Sequence, residues 1–110
     1  MADYERKRGD TGPPLRGQLL DADGNAFSLA GLVTQDVLCI IKRPNGTVRI
    51  DYVASIDDAA AGKVAHNLVV ADVATAGDGE VEWRVTRADG TVQTFPVSGK
   101  KTFKIVASNA

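Results

Sequence analysis

The sequence predicts an all-β protein, folded as an antiparallel β-sandwich of about seven or eight strands. Apolar and polar residues alternate with a period of two in several segments, most clearly from Val81 to Thr86, which is typical of half-buried strands. Turn signals containing glycine recur about every 8–12 residues, a spacing that favours short paired strands. No long segment shows the 3.6-residue apolar period of a helix.

The segment from Gly79 to Pro96 predicts the central hairpin. Every second residue from Val81 is apolar, and Ala88-Asp89-Gly90 then reverses the chain. Aspartate tolerates this turn, and glycine accepts the positive φ that closes it. A three-residue loop sets Trp83 opposite Phe95, where a cross-strand aromatic pair contributes roughly 0.5–1 kcal/mol. We expect this hairpin to lie at the centre of the core.

Two further reversals follow the same loop rule, at Ala22-Asp23-Gly24 and at Pro44-Asn45-Gly46. Each contains a glycine for the last turn position, and the second also has a proline that presets the first φ. Both turns pair apolar residues on one face of the strands that they connect. The expected pairs are Leu19–Phe27, Ile40–Ile50 and Leu38–Tyr52.

The remaining strands are assigned from apolar patterns. Asp36 to Arg43 contains a nearly continuous apolar run, which indicates burial on both faces or a central position in the sheet. Asp57 to Gly62 is too short for an independent helix and is interpreted as a connection, and Ala71 to Asp78 as a loop. Three other segments complete the set of strands: Leu15 to Leu20, Val64 to Val70, and the region around Phe103 and Ile105.

The N-terminal segment is short and highly charged. From Asp3 to Arg8, Tyr4 is the only large apolar side chain. The segment could form an edge strand, where charges discourage unwanted pairing, or an arm within residues 1–10 that becomes ordered on a partner. The following Pro13-Pro14 excludes a helix or a central strand at that corner.

Composition indicates one domain over residues 1–110. The net charge of −1 gives no reason to expect nucleic acid or an anionic membrane as a partner. One cysteine excludes an internal disulfide, and one cysteine with one histidine argues against a Cys/His zinc site. The charged N-terminus is not a signal peptide, and no apolar run approaches membrane-spanning length.

The titratable residues do not form a recognisable catalytic set. His66 lies in a strand pattern without a positioned partner, and Cys39 lies between apolar neighbours, so both are interpreted as structural. The acidic pairs Asp21/Asp23 and Asp57/Asp58 lie at turns, where aspartate commonly bonds nearby backbone. We therefore expect no enzyme activity, no metal site, no cofactor and no small-molecule substrate.

The chain nevertheless resembles a known family over nearly its whole length, through the order and spacing of short motifs. The opening Lys7-Arg8-Gly9-Asp10-Thr11 and the following Leu19 to Gly31 are similar to the start of the N-terminal domain of phage baseplate upper proteins. Further similar motifs are Ile41-Lys42-Arg43-Pro44-Asn45-Gly46, Val81-Glu82-Trp83, Ala88-Asp89-Gly90-Thr91 and Thr94-Phe95-Pro96.

This resemblance implies an immunoglobulin-like β-sandwich that serves as a non-enzymatic attachment module in a phage tail or baseplate. Its partners would be other virion proteins, it would be present as a homo-oligomer or in multiple copies, and it would be assembled in the host cytoplasm. The alternatives are a head, neck or capsid accessory protein, or a carbohydrate- or surface-binding module. The residues expected to contact a partner are Tyr4, Glu5, Arg6, Lys7 and Arg8.

Overall fold

The computed structural model describes residues 4–96 and 101–107. Within these ranges the chain forms nine strands and two short 3₁₀ helices, at Thr34–Asp36 and Val70–Val73. The strands are β1 (Tyr4–Lys7), β2 (Leu15–Gln18), β3 (Val37–Lys42), β4 (Val48–Tyr52), β5 (Ser55–Asp58), β6 (Lys63–His66), β7 (Gly77–Thr86), β8 (Val92–Phe95) and β9 (Lys101–Val106).

The strands form a large and a small sheet. The large sheet has the order β1-β9-β7-β3-β4, and β8 also pairs with β7. The long strand β7 is antiparallel to β3 along one side; on its other side, β9 pairs with its first half and β8 with its second half. The small sheet has the order β2-β6-β5. The predicted all-β sandwich is therefore confirmed.

Several details differ from the sequence prediction. The strand expected from Val64 to Val70 ends at His66, and a 3₁₀ helix at Val70–Val73 and the start of β7 fall in the expected loop from Ala71 to Asp78. Strand β5 falls partly in the segment interpreted as a connection; it contains two aspartates and lacks a clear apolar alternation, so its pairing with β6 left no local signal. Strand β1 is parallel to β9, with Tyr4 opposite Phe103, whereas the sandwich was expected to be antiparallel. Parallel pairing joins segments that are distant in the chain and requires no hairpin turn between them.

All three predicted hairpin registers are confirmed. The Arg87 N–H donates to the Thr91 carbonyl at 2.9 Å, closing the loop that sets Trp83 opposite Phe95. The Phe27 N–H donates to the Leu19 carbonyl at 2.8 Å. The last hairpin pairs Ile40 with Ile50 and Leu38 with Tyr52.

The core lies between the two sheets. Trp83 and Phe95 are both buried, as expected, and the Phe95 ring contacts Phe27 with centroids 4.8 Å apart. The Arg87 guanidinium lies over the Phe27 ring, 4.5 Å from its centre. The largest fully buried side chains include Leu15, Leu19, Leu29, Ile41, Phe103 and Ile105.

Strand β2 of the small sheet lies directly against the Trp83 side chain of β7. A Cβ placed on Gly17 would lie 2.8 Å from both Cε2 and Cζ2 of the Trp83 indole. Real Cβ atoms do not tolerate this distance, so glycine is required here for contact with the ring rather than for its backbone freedom. Gly17 allows the indole to pack directly against the backbone of the small sheet.

Candidate interaction surfaces

Four of the N-terminal residues expected to contact a partner, Tyr4 to Lys7, form an edge strand, β1, and Arg8 lies in the turn that follows it. Their side chains alternate: Tyr4 and Arg6 are half-buried, whereas Glu5, Lys7 and Arg8 are exposed. Tyr4 packs against the core, and Met1 to Asp3 lie outside the described residues. Whether any of these side chains binds a partner stays a prediction.

Arg6 has an internal role within β1. Its Nη2 donates to the carbonyl of Pro13 at 2.8 Å and to that of Pro14 at 3.4 Å. The guanidinium therefore ties the edge strand to the Pro13-Pro14 corner. The exposed charges that a partner could reach on this edge are those of Glu5, Lys7 and Arg8, and we call them the β1 charged edge.

The opposite edge of the large sheet has a different character. Val48, Ile50 and Tyr52 of β4 are 54%, 55% and 52% exposed. On β3, Leu38 and Ile40 pair with Tyr52 and Ile50 and are half-buried on the same outer face, whereas Val48 pairs with Lys42. These five residues form a continuous apolar surface, which we call the β4 apolar patch. Exposed apolar groups that are clustered beside a sheet edge are characteristic of interaction sites.

The patch arises because β3 has apolar residues on both of its faces. Val37, Cys39 and Ile41 point into the core and are fully buried, so the alternate residues Leu38 and Ile40 must face outward. The sequence prediction that the pairs Leu38–Tyr52 and Ile40–Ile50 share a face is confirmed. Of the two interpretations of the apolar run in β3, the central position in the sheet is confirmed and burial on both faces is wrong. Strand β3 lies between β7 and β4 with one face only in the core.

The residues of β4 that face inward, Arg49 and Asp51, are charged. Arg49 reaches beneath the sheet to Asp72 in the second 3₁₀ helix, with Nη2 2.6 Å from Oδ2, and its Nη2 also lies 2.9 Å from Nε2 of His66. Arg43 Nε donates to Asp72 Oδ1 at 3.1 Å. We call these four residues the Arg49 cluster. It connects the β4 edge of the large sheet to strand β6 of the small sheet.

Burial and hydrogen bonding determine the charges in this cluster. Burial raises the pKa of Asp72, but hydrogen bonds from Arg49, the Val69 N–H and Arg43 more than offset this, so its pKa is lowered. Burial and the neighbouring Arg49 lower the pKa of His66. His66 is therefore neutral near pH 7 and accepts the Arg49 hydrogen bond at Nε2.

Asp72 was missed by the sequence reasoning, which considered only the paired aspartates at turns. Its carboxylate is fully buried and also accepts the Val69 N–H at 3.0 Å. A single aspartate among apolar residues is a weak signal, because its arginine partners lie 23 and 29 positions away in the chain. Removing one partner of a buried ion pair of this kind lowers the free energy of unfolding by about 3–5 kcal/mol, because the other charge stays buried without compensation.

The other chemical candidates have local structural contacts. Burial raises the pKa of the Cys39 thiol to about 12, so a thiolate does not form near pH 7. Asp21 Oδ1 accepts the N–H groups of Asp23 and Asn25, both at 2.9 Å, which is turn chemistry. Asp58 Oδ1 similarly accepts the Ala61 N–H at 3.2 Å.

A cleft of about 370 Å³ opens near the contact between Gly17 and Trp83. Among the described residues, the charged ones that line it are Arg16 and Lys101, both basic, and they include no carboxylate or histidine. Within the described ranges, no three His, Cys, Asp or Glu side chains come together in a way that could hold a metal ion. The helical segments in those same ranges do not include one that is long and apolar enough to span a membrane.

Comparison of the chain with protein-family models, with curated proteins and with solved structures found no match.

Proposed function

We propose that this protein is a non-enzymatic structural module of a bacteriophage virion, which attaches to other tail or baseplate proteins through the edges of its large sheet. The observation that carries the attachment role is the pair of edge strands: β1 presents exposed charges and β4 presents an exposed apolar patch. Sheet edges are common sites of protein association. The phage context comes from the motif resemblance.

The β1 charged edge is the proposed contact with a different virion protein. Its exposed side chains lie on an ordered strand, so little conformational entropy is lost when a partner binds. Charged groups at a rim mainly govern recognition and the rate of association. A protein that assembles beside many similar surfaces benefits from such specificity.

The carbohydrate-binding alternative receives little support from the aromatic residues. Trp83 is buried against Gly17 and cannot serve as an exposed platform for a sugar ring. Tyr52 is exposed, but it lies on a flat sheet face among aliphatic side chains. The alternative placement in a head, neck or capsid uses the same attachment chemistry and is decided by the position of the protein in the particle.

The first test asks whether the protein is present in purified particles. We expect mass spectrometry to detect it at a constant ratio to a tail protein through successive gradient purifications, and labelling to place it at the tail or baseplate. Loss of the protein during purification, while other virion proteins are retained, would contradict the proposal. A head or neck position would favour the accessory alternative.

The second test addresses the β1 charged edge. In a strain lacking the wild-type gene, the charge-reversal variant Glu5→Lys/Lys7→Glu is expected to lower incorporation about tenfold, equivalent to roughly 1.4 kcal/mol of binding free energy. Lys63→Glu is the matched control, because Lys63 is exposed on the small sheet. Equal incorporation of both variants would exclude this edge as the contact.

A further inference from the structure

Strand β4 has an open hydrogen-bonding edge. The Arg43 N–H donates to the Thr47 carbonyl at 2.8 Å, and the Val53 N–H donates to the Val37 carbonyl at 3.0 Å. Because bonded and non-bonded pairs alternate in an antiparallel ladder, odd-numbered β4 residues face β3. The backbone groups of Val48, Ile50 and Tyr52 therefore point away from β3, and no other strand in the described part of the chain pairs with them.

The residues of β4 are complementary to a second copy of the same strand. We propose that two copies of this protein associate by antiparallel pairing of their β4 strands about a two-fold axis at Ile50. Ile50 then lies opposite the partner's Ile50, and Val48 lies opposite the partner's Tyr52. The same register sets Arg49 opposite the partner's Asp51, so each charged position meets its opposite charge.

Neighbouring registers do not have this property. Centring the axis on Arg49 sets two arginines against each other, and centring it on Asp51 sets two aspartates against each other. Like charges directly opposite are destabilising in a sheet. Axes on Arg49, Ile50 and Asp51 all pair the outward-pointing backbone groups of β4 with one another, so the opposite charges at positions 49 and 51 select the axis at Ile50.

The outer faces of the two sheets also become continuous in this arrangement. The exposed side chains of Val48, Ile50 and Tyr52 from both copies meet on one surface, flanked by the half-buried Leu38 and Ile40. One edge donor must exchange its partner, because the Tyr52 N–H is bonded to Asp51 Oδ1 at 2.8 Å in the single chain. Pairing replaces that local bond with a bond to the partner's Val48 carbonyl.

The β1 edge offers no comparable self-pairing surface. Its outward residues Glu5 and Lys7 are charged and exposed, which is a common protection of edge strands. On β4 the inward Arg49 belongs to the Arg49 cluster and Asp51 pairs with it, leaving an apolar row at the open edge. The pairing of β4 stands independently of the virion role, because it can be measured with the isolated protein.

Residue 50 allows a direct test, because it lies opposite residue 50 of the partner only if the two-fold axis passes through it. Sedimentation velocity of the full chain is measured from about 5 to about 500 µM, a range that covers association of moderate affinity. The wild type is expected to shift from monomer to dimer. Ile50→Lys and Ile50→Glu should each raise the dimer Kd at least about tenfold, because like charges meet on the axis.

An equimolar mixture of the lysine and glutamate variants is expected to form a dimer with a lower Kd than either variant shows alone. Val92→Lys is the matched control: Val92 is 57% exposed on β8 of the same sheet, away from β4, and its substitution should leave association unchanged. Circular dichroism and the unfolding midpoint verify that each variant is folded.

Three results would overturn the proposal: a wild-type monomer throughout the concentration range, dimers that survive both charged substitutions, or a mixture that fails to associate. Dissociation by Val92→Lys to the same extent would also contradict it. A dimer that forms while the protein is absent from particles would refute the virion role alone. A monomer that is incorporated into particles would refute only the β4 pairing.

Discussion

At position 17 the backbone of β2 lies so close to the Trp83 indole that no side chain fits between them. A methyl group there would meet two ring carbons at 2.8 Å. The indole is 2% exposed and lies between the sheets. The close contact therefore makes this glycine a packing residue.

Gly17→Ala is accordingly expected to lower the free energy of unfolding by about 1–3 kcal/mol, the usual cost of an overpacked core. Gly12→Ala is the control, because a Cβ at Gly12 meets nothing within 4 Å, and its effect should stay within about 0.5 kcal/mol. Guanidinium unfolding followed by Trp83 fluorescence measures both variants. Equal effects of the two substitutions would show that the Trp83 ring can shift to accommodate the methyl group.

At the scale of the strand, the turn signals carried most of the predictive information. Loop length determines which residues face each other in a hairpin, so Ala88-Asp89-Gly90 was sufficient to predict the pairing of Trp83 with Phe95. The same rule predicted the Ile40–Ile50 pair. These registers depend on contacts that are local in the chain.

The direction in which a strand faces was harder to predict. The sequence predicted that Ile50 and Tyr52 share a face with their partners on β3, but it did not show that Arg49 and Asp51 take the inward positions of β4. The reason is tertiary: Asp72 supplies a buried carboxylate that compensates the Arg49 guanidinium. An alternating pattern shows which residues share a face of the strand. It does not show which face packs on the core when a buried residue elsewhere in the chain can compensate the charged face.

The Arg49 cluster also makes the connection between β4 and β6 sensitive to pH. The pKa of His66 is lowered from its ordinary value of 6.5, first by burial and then by Arg49. Below pH 6.5 the unfolded chain therefore binds a proton that the folded chain resists, and the stability contribution is lost as the pH falls through the folded pKa. The pKa of Asp72 is lowered from 3.8, so its contribution is lost only at still lower pH.

We expect the free energy of unfolding to decrease between about pH 7.5 and about pH 5.5, and His66→Gln to reduce that decrease. His66 is the only histidine of the chain, so its ring resonances in an NMR titration report its pKa directly. The matched comparison is the same pH series on the wild type. An unchanged pH dependence in His66→Gln, or a His66 pKa at or above 6.5, would contradict the electrostatic role of this residue.

At the scale of the whole molecule, the large sheet separates two different edges. Strands β9, β7 and β3 lie between β1 and β4, which places the edges about 19 Å apart at the usual strand spacing. Substitutions that are this distant and share no partners act independently. The proposed contact with another virion protein and the proposed contact with a second copy can therefore be separated by mutation.

Ile50→Lys is expected to abolish self-association while the isolated domain still binds its virion partner, because the β1 charged edge is unaltered. Glu5→Lys/Lys7→Glu should show the opposite result, a normal dimer with lost partner binding, and the triple variant should lose both. Sedimentation velocity measures the first property, and capture on particles assembled without this protein measures the second. Binding to the partner that disappears with Ile50→Lys would mean that pairing precedes attachment, since a dimer presents two β1 edges and gains avidity from them. Loss of self-association in the β1 variant would instead show that the two edges are not independent, and would contradict the division of roles across the sheet.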